Sequence, residues 1–112
     1  MENRKPIIAP AISVGNVVSL ERGKIPPQAV DLEEAVIGAM LIDKKGVDEV
    51  IDILQPEAFY KEANQHIFKA IHSLFETSEP IDLLTVSAQL RKMGLLDKIG
   101  GDFYLVQLSK KV

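Results

Sequence analysis

The hydrophobic period of this chain changes at Pro26 and Pro27, and that change decides the fold class. Before it, Pro6, Pro10, Gly15 and Gly23 interrupt the backbone so often that neither a helical nor a strand period persists. After it, apolar residues return every three or four positions, the spacing of one face of a helix, and clean alternation is not sustained. Residues 1–25 are therefore expected to be a mobile leader. The alternative, from its Ile7, Ile8, Ile12, Val14, Val17 and Val18, is an extended arm laid along a partner. Residues 26–112 are expected to fold as an all-α domain, a compact bundle of about five short helices.

The individual helices follow from local signals. Asp31 with Glu34 three residues later has the form of a capping box, and Glu33 adds negative charge where a helix dipole favours it. Leu32, Val36, Ala39 and Met40 then make a stripe that Ile37 and Leu41 broaden. Gly38, in the middle, weakens this helix by up to about 1 kcal/mol relative to Ala, which close approach of another helix backbone would explain. Asp43 to Gly46 read as a polar turn, and Val47, Val50, Ile51 and Leu54 as a second helix stopped by Pro56. Gln65 to Glu76 form a third, with Ile67, Phe68, Ile71, Leu74 and Phe75 on one face. Asp82 is placed to cap a fourth through the amide of Leu84 or Thr85, with Leu83, Val86, Leu90 and Met93 inward and Gly94 as its left-handed stop. Asp102 to Lys111 make a fifth, with Tyr104, Leu105 and Leu108 inward.

Composition narrows the chemistry. With 112 residues, 46% hydrophobic and 26% charged, the chain has the make-up of a single globular domain. The absence of cysteine excludes disulfides, thiolate metal sites and a cysteine nucleophile. A net charge of -3 provides no overall attraction for a polyanion. No apolar stretch reaches the roughly 20 residues of a bilayer span. Gly100 and Gly101 are followed by Asp102, without the lysine of a phosphate loop, and read as a helix-starting turn. His66 and His72 stand six residues apart, about 120° around a helix, and cannot chelate one metal from a shared face. Glu62 with His66 and His72 with Glu76 have the spacing of exposed helix pairs. Asp48, Glu49 and Asp52 belong to a solvated face, and none of Ser73, Ser78, Ser87 or Ser109 has a nucleophile-elbow setting. No catalytic, cofactor-binding or metal-binding residue is expected. The candidate partner contacts are Phe103, turned about 100° from an inward Tyr104, and the basic Arg91 and Lys92, with Lys98 close by in sequence.

The ordered blocks are distinctive in combination. Pro26, Pro27 and Gln28 precede Asp31 to Glu34 and then Ala-Val-Ile-Gly-Ala-Met-Leu-Ile-Asp from Ala35 to Asp43. Phe59 and Tyr60 follow, then Asn64 to Phe68, Pro80 to Thr85, Gly100 with Gly101, and Tyr104 to Leu108. In order and spacing, residues 26–112 resemble the N-terminal domain of the DnaB family of bacterial replicative helicases. The resemblance implies a small helical domain in the collar of a hexameric ring above an ATPase that uses ATP and Mg, in a cytoplasmic replisome. It implies self-association, a DnaG-type primase and a helicase loader or initiator as partners, and DNA contact mainly through a C-terminal domain. The chain is expected to stop before the family's helical hairpin and ATPase domain, so the fragment is not expected to be an enzyme. Two other readings are a freestanding helical adaptor that binds proteins, and a helix-turn-helix DNA binder using Arg91, Lys92 and Lys98. Salt-dependent duplex binding separates the last from both others.

Overall fold

A computed structural model describes residues 27–112 of the chain, and the expectation of a mobile leader over residues 1–25 falls outside them. Six α-helices follow in order: α1 Pro27–Ile42, α2 Lys44–Val50, α3 Glu62–Glu76, α4 Leu83–Lys92, α5 Leu96–Ile99 and α6 Gly101–Ser109, with a 3-10 turn at Pro56–Ala58 between α2 and α3. Among the described residues there is no strand, and no helix is long and apolar enough to cross a membrane. The chain divides into two compact units, residues 1–30 and 31–112. Of the first, only Pro27 to Val30, the opening turn of α1, is described; the core belongs to the second.

The core is apolar and closed. Ile37, Met40 and Leu41 of α1, Ile67, Phe68, Ala70, Ile71 and Leu74 of α3, Val86 and Leu90 of α4, and Leu105 and Leu108 of α6 are all buried. Phe59, just before α3, tilts its ring against Phe68 at a centroid distance of 5.2 Å, a geometry that aromatic quadrupoles favour. Burying each such side chain contributes roughly 1.5–3 kcal/mol.

Several local expectations hold. Asp82 accepts a hydrogen bond from the Thr85 amide at 2.9 Å, and the Thr85 hydroxyl accepts from the Asp82 amide, closing a reciprocal cap at the start of α4. Gly94 follows α4 at φ +74°, where a side chain would be strained. Gly38 meets another helix as expected: a Cβ there would clash with the backbone carbonyl of Leu108 in α6.

Others are corrected. Helix α1 begins at Pro27, four residues before Asp31, so Asp31 lies within the helix and caps nothing. Proline suits a first helical position because it has no N–H to leave unpaired there. The buried residues of α1 are Glu34, Ile37, Gly38, Met40 and Leu41, so Met40, Ile37 and Leu41 of the expected stripe face inward while Leu32 is 67% exposed. Apolar residues on most of its circumference left the phase of α1 undetermined locally. Asp43 is not part of a turn before α2; its carboxylate caps α2 through the Lys45 amide at 2.9 Å, so the helix begins at Lys44. It ends at Val50, well before Pro56. Helix α3 starts three residues earlier than expected, at Glu62. Phe75 and Met93, expected inward, are exposed. The short α5 had no sequence signal; its single turn ends on Gly100 at φ +106° and buries Ile99.

Candidate functional site

Two acidic neighbours on α1 organise one side of the domain. The Glu33 carboxylate accepts hydrogen bonds from the backbone amides of Tyr60 and Lys61 and, at 2.8 Å, from the Asn64 side-chain amide. Lys61, the residue before α3, has no side chain capping that helix. Glu33 thus holds the two residues that lead into α3 from another helix, and its negative charge lies near the positive end of the α3 dipole. Glu34, 8% exposed, accepts from Lys61 Nζ at 3.0 Å and pairs with Lys111 Nζ at 3.1 Å. The Tyr104 hydroxyl of α6 donates to Asn64 Oδ1 at 2.7 Å, and Lys61 Nζ lies 4.8 Å from the centre of the Tyr104 ring. Helix α1, the start of α3 and the end of α6 are therefore held by one polar network, most of whose members belong to the sequence blocks quoted above.

The network sets the charges in it. Burial pushes the Glu34 carboxyl up, but the hydrogen bonds and charges of Lys61 and Lys111 outweigh it, and the group stays below its ordinary value. Burial pushes Lys61 down, and its bonds to Glu34 and Tyr104 reverse this to a net rise. Tyr104 is raised, mainly by burial. All three effects favour a carboxylate, an ammonium and a neutral phenol at neutral pH, a fixed arrangement suited to holding helices together.

Outside this network α6 turns an apolar ridge to solvent. Leu105 and Leu108 are 1% exposed, whereas Phe103 is 71% and Val106 39% exposed. The two exposed residues, three apart and so on one helical face, wall a groove of about 530 Å³ whose other lining includes Glu34, Lys61, Lys110 and Lys111. Phe103 thus sits where the sequence placed it, beside lysines that sequence reasoning did not select. Arg91 and Lys92 are exposed in the last turn of α4 and do not line this groove, and Lys98 is exposed on α5. The ring of His66 departs from expectation: its side chain is only 15% exposed, and Nε2, 3.5 Å from Glu62, makes no hydrogen bond. His72 pairs with Glu76 at 3.6 Å on a more open surface. Among the described residues no group of His, Asp and Glu is arranged to hold a metal.

Comparison with known proteins agrees with this architecture. The family described as "DnaB-like helicase N terminal domain" matches residues 25–112. The chain is 48% identical over 92 residues to the replicative DNA helicase DnaB of Rhodothermus marinus, covering 82% of this chain and 10% of that protein. It is 42% identical over 89 residues to the replicative DNA helicase DnaB of Geobacillus stearothermophilus, covering 80% and 20%. The chain thus spans a fifth or less of the length of these curated relatives. The crystal structure of the N-terminal domain of DnaB helicase from Mycobacterium tuberculosis superposes with a TM-score of 0.73 at 41% identity, covering 79% of this chain and 61% of that one. With the helical fold and these matches in agreement, the chain belongs to the DnaB-like helicase N-terminal domain family.

Proposed function

We propose that this chain is the non-catalytic assembly and partner-recruitment domain of an ATP-dependent replicative DNA helicase, and that it self-associates through the outward face of α6. The parent protein would be a cytoplasmic hexamer that uses ATP and Mg in a separate C-terminal domain, contacts DNA mainly there, and unwinds duplex at the fork. A DnaG-type primase and a loader or initiator are its protein partners. Family membership, at 40–48% identity to replicative helicases, supports the wider reading. Residues 1–25 form a leader separate from the helical domain of residues 26–112.

The observation that carries the role of α6 is the exposure of Phe103 and Val106 on a helix whose opposite face is fully packed. Exposed apolar ridges rimmed by polar groups mark interaction sites, and aromatic residues at the centre of such ridges carry much of the binding energy. The rigid base beneath the ridge, tied by Tyr104 to Asn64 and by Lys111 to Glu34, lets it dock without a large ordering cost. Arg91 and Lys92 act as secondary contacts for an acidic partner surface.

Sedimentation equilibrium over a range of concentrations tests this reading. The wild-type chain is expected to self-associate, and Phe103→Glu to weaken that association at least about tenfold, as for a central aromatic contact. A wild-type chain that stays monomeric at millimolar concentration would refute the role assigned to α6.

A further inference from the structure

A cavity of about 680 Å³ opens between α2 and the turn that joins α3 to α4, and it shares no residue with the groove beside α6. Its size falls within the roughly 300–1,000 Å³ of ligand-binding clefts. Apolar residues form its body: Val47 of α2, Phe75 near the end of α3, and Pro80 and Ile81 of the turn. Domain interiors are normally filled to near-crystal density. Phe75 continues the buried stripe of Ile67, Phe68, Ile71 and Leu74, yet it is 38% exposed and lines this open space.

The turn on its far side is held in a strained shape. Helix α3 ends with the Ser78 amide donating to the Phe75 carbonyl and the Glu79 amide to the Leu74 carbonyl, the paired bonds of a left-handed helix stop. Glycine takes that position without strain, but here Ser78 holds it at φ +56°. Pro80 then keeps the helix from continuing. Strain of this kind persists where the surroundings enforce it, and ligand clamps are among the places where it collects. Its effect here is to set Glu79 on the rim with Asp48 of α2, the Thr77 hydroxyl lying 3.3 Å from the Glu79 carboxylate.

The charges around the cavity select its occupant. Residues 44–50 and 75–81 carry Lys44 and Lys45 against Asp48, Glu49, Glu76 and Glu79. Among the described residues the lining itself holds two carboxylates, Asp48 and Glu79, and one ammonium, Lys44. The Lys44 side chain is 88% exposed and pairs with Asp48 at 3.3 Å as a helix neighbour, a surface pair that contributes little and yields to a competing cation. We infer that the cavity binds a partner-protein segment carrying a bulky apolar side chain beside lysine or arginine. The apolar group packs against Phe75, Val47 and Ile81, and the cation reaches Asp48 and Glu79. An acidic segment or a nucleic-acid phosphate would meet like charge there.

Nuclear magnetic resonance titration of the full, isotope-labelled chain tests this. The probes are a capped hexapeptide holding a Leu-Phe pair between two lysines, and its counterpart with glutamate in place of both lysines. The lysine peptide is expected to shift the amide signals of residues 44–48 and 75–81, which line the cavity. It should bind there roughly fivefold more tightly than the glutamate peptide, the gap narrowing at high salt as surface charges are screened. Glu79→Lys, at an exposed position, is expected to keep the wild-type Tm and to reverse the preference. Phe75→Ala is expected to weaken both peptides about tenfold, as for an aromatic anchor; if it also lowers Tm, the reversal in E79K still decides. A lysine peptide that shifts only α6 signals, or none at millimolar concentration, would overturn the inference. So would equal binding of the two peptides, or an E79K chain that keeps the wild-type preference.

Discussion

Replacing Gly38 by alanine is expected to destabilise this domain, although alanine is the better helix former. In an unobstructed helix interior the change would stabilise by about 1 kcal/mol. Here a Cβ would lie 3.0 Å from the carbonyl carbon of Leu108 and closer still to its oxygen, against the roughly 3.5–4.0 Å of an optimal carbon contact. The obstacle is backbone, so no rotamer change relieves it. Helix α6 must withdraw by about 1 Å to clear that oxygen, and Leu105 and Leu108, both 1% exposed, withdraw with it. Overpacking of this kind costs about 1–3 kcal/mol, and the upper end applies because a whole helix moves. Set against the propensity gain, the net loss is about 2 kcal/mol, or roughly 10 °C in Tm for a domain of this size. Urea denaturation followed by circular dichroism measures it. A Gly38→Ala chain more stable than wild type by about 1 kcal/mol would show that α1 and α6 do not make this contact.

Phe68→Ala, at a fully buried site, is expected to cost about 3–5 kcal/mol; a loss under about 1 kcal/mol in the same denaturation assay would mean that α3 faces elsewhere. Glu33→Ala removes the acceptor shared by the Tyr60 and Lys61 amides and Asn64. It is expected to cost about 1.5–3 kcal/mol, as for hydrogen bonds to a charged group, and to expose the Tyr60 and Lys61 amides to faster hydrogen exchange, which an unchanged exchange rate would contradict. The stability difference between wild type and Glu34→Gln should depend on pH. Because Lys61 and Lys111 hold Glu34 below its ordinary value of 4.5 despite burial, its contribution is complete above that value and is lost as pH falls through the lower folded-state value. Thermal melts from pH 7 to pH 3 should show the difference shrinking below about pH 4.5, and a constant difference would refute the assignment.

The candidate surface was only half legible. Phe103 could be placed because a helix turns adjacent residues about 100° apart, so an inward Tyr104 and Leu105 left Phe103 outside. The lysines beside it could not. Lys61 precedes α3 and Lys110 follows α6, and only the packing of those elements around Tyr104 brings them to one groove. The same limit applied to Glu33 and Glu34. Read locally, an acid near a helix start is a cap for its own helix, yet these two serve partners 27 to 31 residues away at the start of α3, and Tyr104 70 residues away.

By itself the sequence determined whatever depends on interactions within about four residues: the all-helical class, the Asp82–Thr85 cap, the stop at Gly94 and the inward face of α3 as far as Leu74. It also marked Gly38 as a place where something comes close. Tertiary structure alone decided the rotation of α1, because a helix apolar on most of its circumference has several faces to bury. The face chosen is the one that places Glu34 beside two lysines and Gly38 under the Leu108 carbonyl. Both partners lie far along the chain, and no local period encodes them.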